Sequence, residues 1–237
     1  MNELLASIWI SLKTVLLATA ITFVLGIAAA RWIARYSGKL KPVIDGIFIL
    51  PLVLPPTVVG FGLLLLLGNH GWIGSVFSLL GAPIVFSWPA TVISATVMAF
   101  PLMYMTARGA FEQVDPGVEN AARTLGASEW RILYSVTLPI AWPGVLAGTI
   151  LCFARSLGEF GATLMLAGNI PGKTTTIPVA IYFAIQAGDM KQALYLVFMV
   201  LFIALASLAV LAYVKKTRPR TRLVTENMLP GIPPMEN

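Results

Sequence analysis

Five long apolar runs dominate this sequence and restrict what it can fold into. Each approaches or exceeds the roughly 20 residues that cross a bilayer as a helix. Hydrophobic residues make up 58% of the chain and charged residues 11%, whereas soluble domains carry about 25% charged residues. Segments of alternating hydrophobicity, the mark of a membrane β-barrel, are not visible. The sequence therefore predicts an all-α integral membrane protein, embedded in lipid, with five full transmembrane helices. The five runs are 8–32, 44–67, 84–106, 139–166 and 192–213.

Basic residues lie almost entirely on one side of these runs. The loops of the other side, 68–83 and 167–191, hold only Lys173 and Lys191. The positive-inside rule then places the N-terminus outside and the C-terminus in the cytoplasm, which requires an odd number of crossings. The net charge of +6 thus reports topology, and no nucleic-acid partner is expected. The cytoplasmic clusters are Arg31, Arg35, Lys39 and Lys41; Arg108, Arg123 and Arg131; and Lys215, Lys216, Arg218, Arg220 and Arg222.

The chain divides into a transmembrane domain, residues 1–214, and a cytoplasmic tail, residues 215–237. Whether residues 177–187 form a short sixth helix, which would enter from outside without crossing, is left open. Ala28–Ala30 resembles a signal-peptidase site, but a signal peptide has its positive charges before the apolar run. Here those charges follow the run, so we favour an uncleaved first span.

Residues 114–139 carry the signals of a cytoplasmic helical hairpin. Asp115 followed by Pro116 is a typical helix start, Gly126 is typical of a helix end, and Ser128 begins a second helix. Periodicity alone leaves open whether the hairpin packs on its own bundle, lies on lipid or meets a partner. Its apolar stripe, at helical spacing, consists of Val118, Ala121, Ala122 and Leu125.

The stretch AGNIPGKT, residues 167–174, satisfies a relaxed P-loop pattern. A working P-loop follows a β-strand and opens a helix, whereas this stretch follows an apolar span and precedes Pro178. The predicted topology also places it outside, away from cytoplasmic ATP. We therefore expect no nucleotide site here.

The second run is interrupted by Pro51, Pro55 and Pro56, none of which has a backbone N–H to donate. Non-helical backbone at membrane depth is tolerated where it lines a cavity or is buried in protein. A pathway wall formed by Pro55, Pro56 and Thr57 and a merely kinked helix both remain open.

The fourth run carries charges within the membrane. Arg155 and Glu159 are four residues apart, which predicts that they share one helical face. Charges at this depth usually face the bundle interior, a partner or water. A structural clamp and a role at the gate or anion path both remain open, and the gate candidates are Arg155, Ser156 and Glu159. Gly158 and Gly161 permit close packing nearby.

No enzyme active site is visible. His70 and Lys173 lie in outer loops, and no Ser-His-Asp set shares a membrane depth. Metal-binding clusters are not apparent, and the single Cys152 allows no intrachain disulfide. The sequence predicts a non-enzymatic chain with no catalytic residue, cofactor or resident metal.

The hairpin spacing resembles the cytoplasmic signature of ABC-importer permeases. The matching residues are Ala121, Ala122, Gly126, Val136, Leu138 and Pro139. Asn120 takes the place of the usual acidic residue, and Glu119 lies one step earlier. The segments PLVLPPTVVGFG, FARSLGEFGAT and GNIPGKTTTIP are similar to the molybdate/sulfate branch of that family.

The resemblance implies a type I ABC-importer permease fold in a prokaryotic plasma (inner) membrane. It implies two copies of the permease, two ATPase subunits that hydrolyse the ATP, and an external binding protein that delivers molybdate. Sulfate, thiosulfate and tungstate are alternative cargoes. It also implies that the hairpin docks on the ATPase through Glu119, Asn120, Ala121, Ala122, Gly126, Ala127, Leu138 and Pro139.

A secondary transporter and a channel are alternatives of a different class. Ion-coupled transporters usually carry ionisable residues within several spans, but here Arg155 and Glu159 are the only deep charges. An inverted repeat, common in such transporters, is not convincing in this sequence.

Overall fold

The computed structural model describes residues 2–69 and 71–216, which form eleven α-helices and one π-helical turn and contain no β-strand. His70 and residues 217–237, most of the predicted tail, lie outside the described residues. The helices are α1 (Asn2–Arg35), α2 (Lys41–Val53), α3 (Pro56–Leu67), α4 (Trp72–Leu79), α5 (Trp88–Glu112), α6 (Pro116–Thr124), α7 (Glu129–Ile132), α8 (Leu138–Leu157), α9 (Gly161–Ala167), α10 (Ile177–Gln186) and α11 (Met190–Lys216); the π-helical turn, Leu133–Thr137, joins α7 to α8.

Four helical segments of the described chain are long and apolar enough to cross a membrane on their own. They are α1, α5, the continuous segment from α7 through α8, and α11. The pair α2 and α3 passes the same test together but is bent by 112°. The number of spans is therefore four, or five if the bent pair counts as one.

The bent pair connects the two ends of α5. Asp45 of α2 accepts a hydrogen bond from the hydroxyl of Tyr104, in the second half of α5. Leu67, the last residue of α3, packs in one apolar cluster with Ala90, in the first turn of α5. Since the pair runs from one end of a spanning helix to the other, we count it as a single broken span, and the prediction of five spans is confirmed.

The core of the bundle lies where α1, α5 and α8 meet. Ala30 and Ile33 of α1, Met103 of α5 and Val145 of α8 are fully buried in one cluster. By contrast, α11 packs against α8 and α10 but leaves large apolar side chains such as Phe202 exposed. Such a face suits contact with lipid hydrocarbon, so we describe the chain as a multi-pass membrane protein.

Two predicted elements have different details in the structure. The fourth predicted span is interrupted at residues 158–160, between α8 and α9. The short sixth helix exists as α10, and its ten residues extend only about 15 Å. That length is half of the roughly 30 Å hydrocarbon core, which agrees with a helix that does not cross.

Candidate coupling and translocation sites

Local capping forms the α6–α7 hairpin, by which we mean residues 114–139. The Asp115 carboxylate accepts from the backbone N–H of Gly117 at 2.8 Å, and Pro116 follows as the first helical residue. At the other end of α6, Gly126 adopts a φ of +81°, and Ala127 N donates to the carbonyl oxygen of Ala122 at 3.1 Å. This is a Schellman ending, which glycine favours. The predicted helix start and end are confirmed.

The second arm of the hairpin begins at a side-chain cap, as the sequence predicts. The Ser128 hydroxyl accepts from the backbone N–H of Arg131 at 3.4 Å. From Glu129 the chain is continuously helical through the π-helical turn into α8. Leu138 packs partly buried against the main core, whereas Pro139 is exposed. The arm therefore enters the bundle without a flexible joint.

The apolar stripe of α6 is uncovered in the single chain. Val118 is 44% exposed and Leu125 is 88% exposed, Ala121 is exposed and Ala122 is half-buried. Together these residues form a contiguous exposed apolar surface, which is the kind of feature that a partner covers. The described residues of the chain therefore leave this stripe largely uncovered.

Two aromatic residues extend this surface. Trp130 and Tyr134 stack with ring centroids 6.2 Å apart and are 71% and 63% exposed. Their four-residue spacing on a helix is a sequence signal for this pair, although neither residue is among those predicted from the sequence. Aromatic residues are enriched at the energetic centres of protein interfaces.

Glu119 lies on the inward side of α6, with a side chain only 12% exposed. Its carboxylate accepts from Arg31 Nη1 at 3.0 Å, Arg35 Nη2 at 3.2 Å and Thr137 Oγ1 at 2.6 Å. Arg123 of α6 also reaches it, at 3.4 Å. The expected coupling residue therefore contacts its own bundle.

Arg123 holds the two arms of the hairpin together. Its guanidinium donates to Glu129 Oε1 at 2.7 Å and to Asn120 Oδ1 at 2.6 Å. The pKa of Arg123 is raised, chiefly by the hydrogen bond to Glu129. Asn120, which takes the place of the acidic residue of the family signature, thus makes a hydrogen bond within the hairpin.

The break in the α2–α3 span lies at Leu54 and Pro55. Pro51 remains inside α2, Pro55 caps α3, and Pro56 is the first residue of α3. Pro55, Pro56 and Thr57 are exposed in the single chain. No residue of α2 is buried, so this span offers a largely uncovered face beside its break.

An ion pair between Arg155 and Glu159 lies at the break in the fourth span. Arg155 Nη1 lies 2.8 Å from Glu159 Oε2, but α8 ends at Leu157 and Glu159 lies in the break. The expectation that both residues share one helical face is therefore wrong. The second carboxylate oxygen, Oε1, accepts from the backbone N–H of Ala162 at 2.9 Å, in the first turn of α9. Glu159 is 3% exposed and ties the end of α8 to the start of α9.

The two broken spans meet at what we call the span junction, residues 54–60 and 158–163. A Cβ added at Gly60 would lie 2.7 Å from the Cα of Ala162, and one added at Gly161 would lie 3.0 Å from the Cβ of Pro56. Glycine is required for so close an approach of two backbones. The predicted pathway residues of both spans thus belong to one region.

A small polar cavity lies behind the fourth-span break. Its volume is about 10 Å³, and its lining includes Ser11, Ser156, Glu159, Thr163 and Thr176. The hydroxyls of Ser156 and Thr176 are buried and have no hydrogen-bond partner among the described residues. The space matches one water molecule and is too small for a tetrahedral oxyanion.

The P-loop-like stretch forms a folded loop between α9 and α10. Thr174 Oγ1 accepts from Ile170 N at 3.0 Å and donates to the Gly168 carbonyl at 3.3 Å. Helix α9 precedes the loop, and Thr174 is fully buried. Because the threonine hydroxyl is used within the loop, the geometry differs from that of a phosphate cradle.

Among the described residues, no group of three His, Cys, Asp or Glu side chains could hold a metal ion.

Comparison with known families decides the classification. Residues 22–223 match the family described as binding-protein-dependent transport system inner membrane component. The chain belongs to this family. By its description, this family supplies the inner membrane component of binding-protein-dependent transport systems.

Individual relatives agree with this assignment. The molybdenum transport system permease protein ModB of Escherichia coli (strain K12) is 47% identical over 181 residues, which cover 76% of this chain and 79% of that protein. The ModB protein of Haemophilus influenzae is 44% identical, with 81% and 85% of the two chains covered. A chain of the bacterial alginate ABC transporter, crystallised with its substrate-bound periplasmic protein, has a TM-score of 0.71 at 18% identity and covers 93% of this chain and 80% of its own length. The last likeness shows that the fold is that of an ABC-importer permease.

Proposed function

We propose that this chain is the permease subunit of an ATP-driven importer of molybdate. The observation that carries the proposal is the uncovered apolar stripe of the α6–α7 hairpin. The stripe lies on a helix that is capped at both ends and whose opposite face contacts the bundle through Glu119. A short helix of this kind suits docking into the groove of a partner. The similarity to two ModB proteins, at 47% and 44% identity, supports molybdate as the cargo.

The docking partner is a separate ATPase subunit. Ala121 and Ala122 allow a groove to approach the α6 backbone, and Leu125 and Trp130 supply apolar area. Leu138 and Pro139 connect this surface to the membrane span. ATP binding would close the ATPase pair and move the hairpin as one body, because Arg123 joins its two arms.

Two copies of the chain form the pathway, and an external binding protein delivers the anion. The uncovered face beside Pro55, Pro56 and Thr57 supports a second copy as its neighbour. The N-terminal end of α3, where the helix dipole favours anions, lies at the same break. The alginate transporter, whose fold this chain shares, is an ABC transporter that was crystallised with a periplasmic protein.

Arg155, Ser156 and Glu159 form the fixed side of the gate. Glu159 bridges α8 and α9, and Arg155 neutralises its charge while remaining 25% exposed. Such a pair keeps the break in register when the pathway opens alternately outward and inward. The basic clusters support an orientation with the hairpin and the C-terminus in the cytoplasm and the N-terminus outside.

Uptake of labelled molybdate tests this proposal. Cells that lack the gene and cells that regain it are supplied with nanomolar molybdate, with and without excess sulfate. Restored uptake that resists sulfate is expected, and it should disappear on ATP depletion at a constant proton gradient. Uptake abolished by sulfate would reassign the cargo to sulfate, and uptake that follows the proton gradient rather than ATP would indicate a secondary transporter.

A further inference from the structure

We propose that Glu119 is a positioning residue that ties the hairpin to α1, so that hairpin motion also drives α1. This inference rests on the proposed function, because it assumes that an ATPase moves the hairpin. It differs from the family expectation, in which this part of α6 contacts the ATPase.

Apolar packing does not hold α6 in place. All nine of its residues are described, and none of them is buried. Its attachment to the bundle therefore depends on polar contacts, and Glu119 makes most of them. A carboxylate that is 12% exposed and accepts from several donors is more than an exposed surface ion pair, which contributes little.

The donors to Glu119 from outside α6 come from two different elements. Arg31 and Arg35 are one turn apart in the last part of α1, and Thr137 ends the π-helical turn before α8. The Arg31 guanidinium also lies 6.0 Å from the centre of the Phe111 ring of α5. One carboxylate thus joins α6, α1 and the entrance of α8 at a single point.

A second contact attaches the other helix of the hairpin, α7, to α1 as well. Arg35 forms an ion pair with Glu129, the first residue of α7, as well as with Glu119 of α6. Arg123 bridges the same two carboxylates within the hairpin. The hairpin therefore cannot rotate against the end of α1 without breaking several charged hydrogen bonds.

Helix α1 can carry this motion across the bundle. Its 34 residues extend about 51 Å. Near its other end, the Ser11 hydroxyl accepts from the backbone N–H of Ile177 at 2.7 Å, at the start of α10. Thr14 and Thr91 are also joined, with their hydroxyls 2.9 Å apart. The contact at Glu119 thus starts a continuous path from the hairpin to α10.

The test measures how much ATP is spent for each molybdate transported. Wild-type and Glu119→Gln permease are each purified with the ATPase subunit that copurifies and are reconstituted in liposomes with the binding protein. We expect Glu119→Gln to keep ATPase copurification and anion-independent hydrolysis, but to raise ATP spent per molybdate by at least about fivefold, the lower range of allosteric coupling.

Glu112→Gln is the matched control. Glu112 lies at the same end of the bundle, on α5, and pairs with Arg108 at 2.8 Å and with Lys41 at 3.6 Å. Its side chain is 42% exposed and makes no ion pair with the hairpin among the described residues. This variant should keep the wild-type ratio.

A double variant separates coupling from folding. Glu119→Gln leaves Arg31, 13% exposed, without its carboxylate, and Arg31→Gln/Glu119→Gln removes that charge. If the single variant does not accumulate, the double variant should accumulate and show the same raised ratio. A wild-type ratio in either variant, or loss of ATPase copurification by a folded Glu119→Gln permease, would overturn the inference. A wild-type complex without ATP-driven uptake would instead overturn the proposed function.

Discussion

The α6–α7 hairpin and the span junction both lie where long helices end, but they are held by opposite means. In α6 no residue is buried, and the attachment consists of ion pairs and hydrogen bonds that converge on Glu119. At the junction the backbones of α3 and α9 touch, with room at Gly60 and Gly161 for hydrogen alone. Charged contacts tether the first region, and close packing fixes the second.

This difference indicates how each region can move. A tethered helix with an uncovered face can shift as a rigid lever when a partner pulls it. A packed junction has no such freedom, because closely packed interiors change between discrete arrangements rather than deforming continuously. The hairpin should therefore tolerate changes of volume but not of surface chemistry, whereas the junction should show the reverse.

The largest effect is expected from Gly60→Val. The new side chain would enter space already filled by Ala162, and overpacking of this kind costs about 1–3 kcal/mol or more. We expect loss of folded protein and of uptake. Gly62→Val, two residues along α3 in open space, is the control and should retain both. Detergent extraction with fluorescence-detected gel filtration measures folding, and normal folding of Gly60→Val would contradict the close packing.

Ala122→Asp should separate folding from transport at the hairpin. A carboxylate on the docking face would be buried unpaired against the ATPase, which costs about 2–5 kcal/mol at an interface. We expect normal extraction but uptake lowered more than about tenfold, since 1.4 kcal/mol is a factor of ten. Thr124→Asp is the control, because Thr124 is exposed but lies about 200° around α6 from Ala122. Equal uptake in both variants would show that the stripe is not part of the docking surface.

The sequence predicted the hairpin better than the junction, for a physical reason. Asp115, Gly126 and Ser128 act on backbone groups within a few residues, so their roles are readable from local spacing. The family resemblance assigned Glu119 to the ATPase. Its contacts with Arg31 and Arg35 could not be read from local spacing, because these partners lie more than 80 residues away.

At the junction, too, local spacing could not predict the contacts between distant parts of the chain. The four-residue spacing of Arg155 and Glu159 predicted one shared helical face, but the same spacing also suits a helix that ends between them. Nothing local indicated that Gly60 packs on Ala162, because only the folded bundle brings α3 and α9 together. The five spans, by contrast, followed from apolar run length alone.

Arg155→Ala tests whether the junction pair serves packing or transport. It leaves Glu159, 3% exposed, without its cation. We expect unfolding to become easier by about 2 kcal/mol, below the 3–5 kcal/mol of a fully buried pair, because Arg155 is 25% exposed. Uptake should fall several-fold, and thermal denaturation of the purified permease measures the stability.

The double variant Arg155→Ala/Glu159→Gln interprets that loss. It removes the unpaired charge and keeps an oxygen that can accept from Ala162 N. We expect stability to recover while uptake stays low, which would place Arg155 at the gate. Recovery of both would make the pair a structural clamp only and would remove Arg155 from the pathway.

The smallest effect is expected from Gly126→Ala, which strains the hairpin turn without changing its surface. Gly126 has a φ of +81° and open space around it, so the alanine should cost about 1–2 kcal/mol from backbone conformation alone. Gly188→Ala is a close control. Gly188 has a φ of +77°, also in open space, and ends α10 with the same pair of hydrogen bonds, from Gly188 N to Ile185 O and from Asp189 N to Ala184 O.

Both variants should lower the melting temperature of the permease by a similar, small amount. Only Gly126→Ala should raise the ATP spent per molybdate, because only that turn sets the angle between α6 and α7. If Gly188→Ala changes the ratio equally, strain anywhere in the bundle disturbs coupling, and the hairpin would not be the separate lever that its polar attachment indicates.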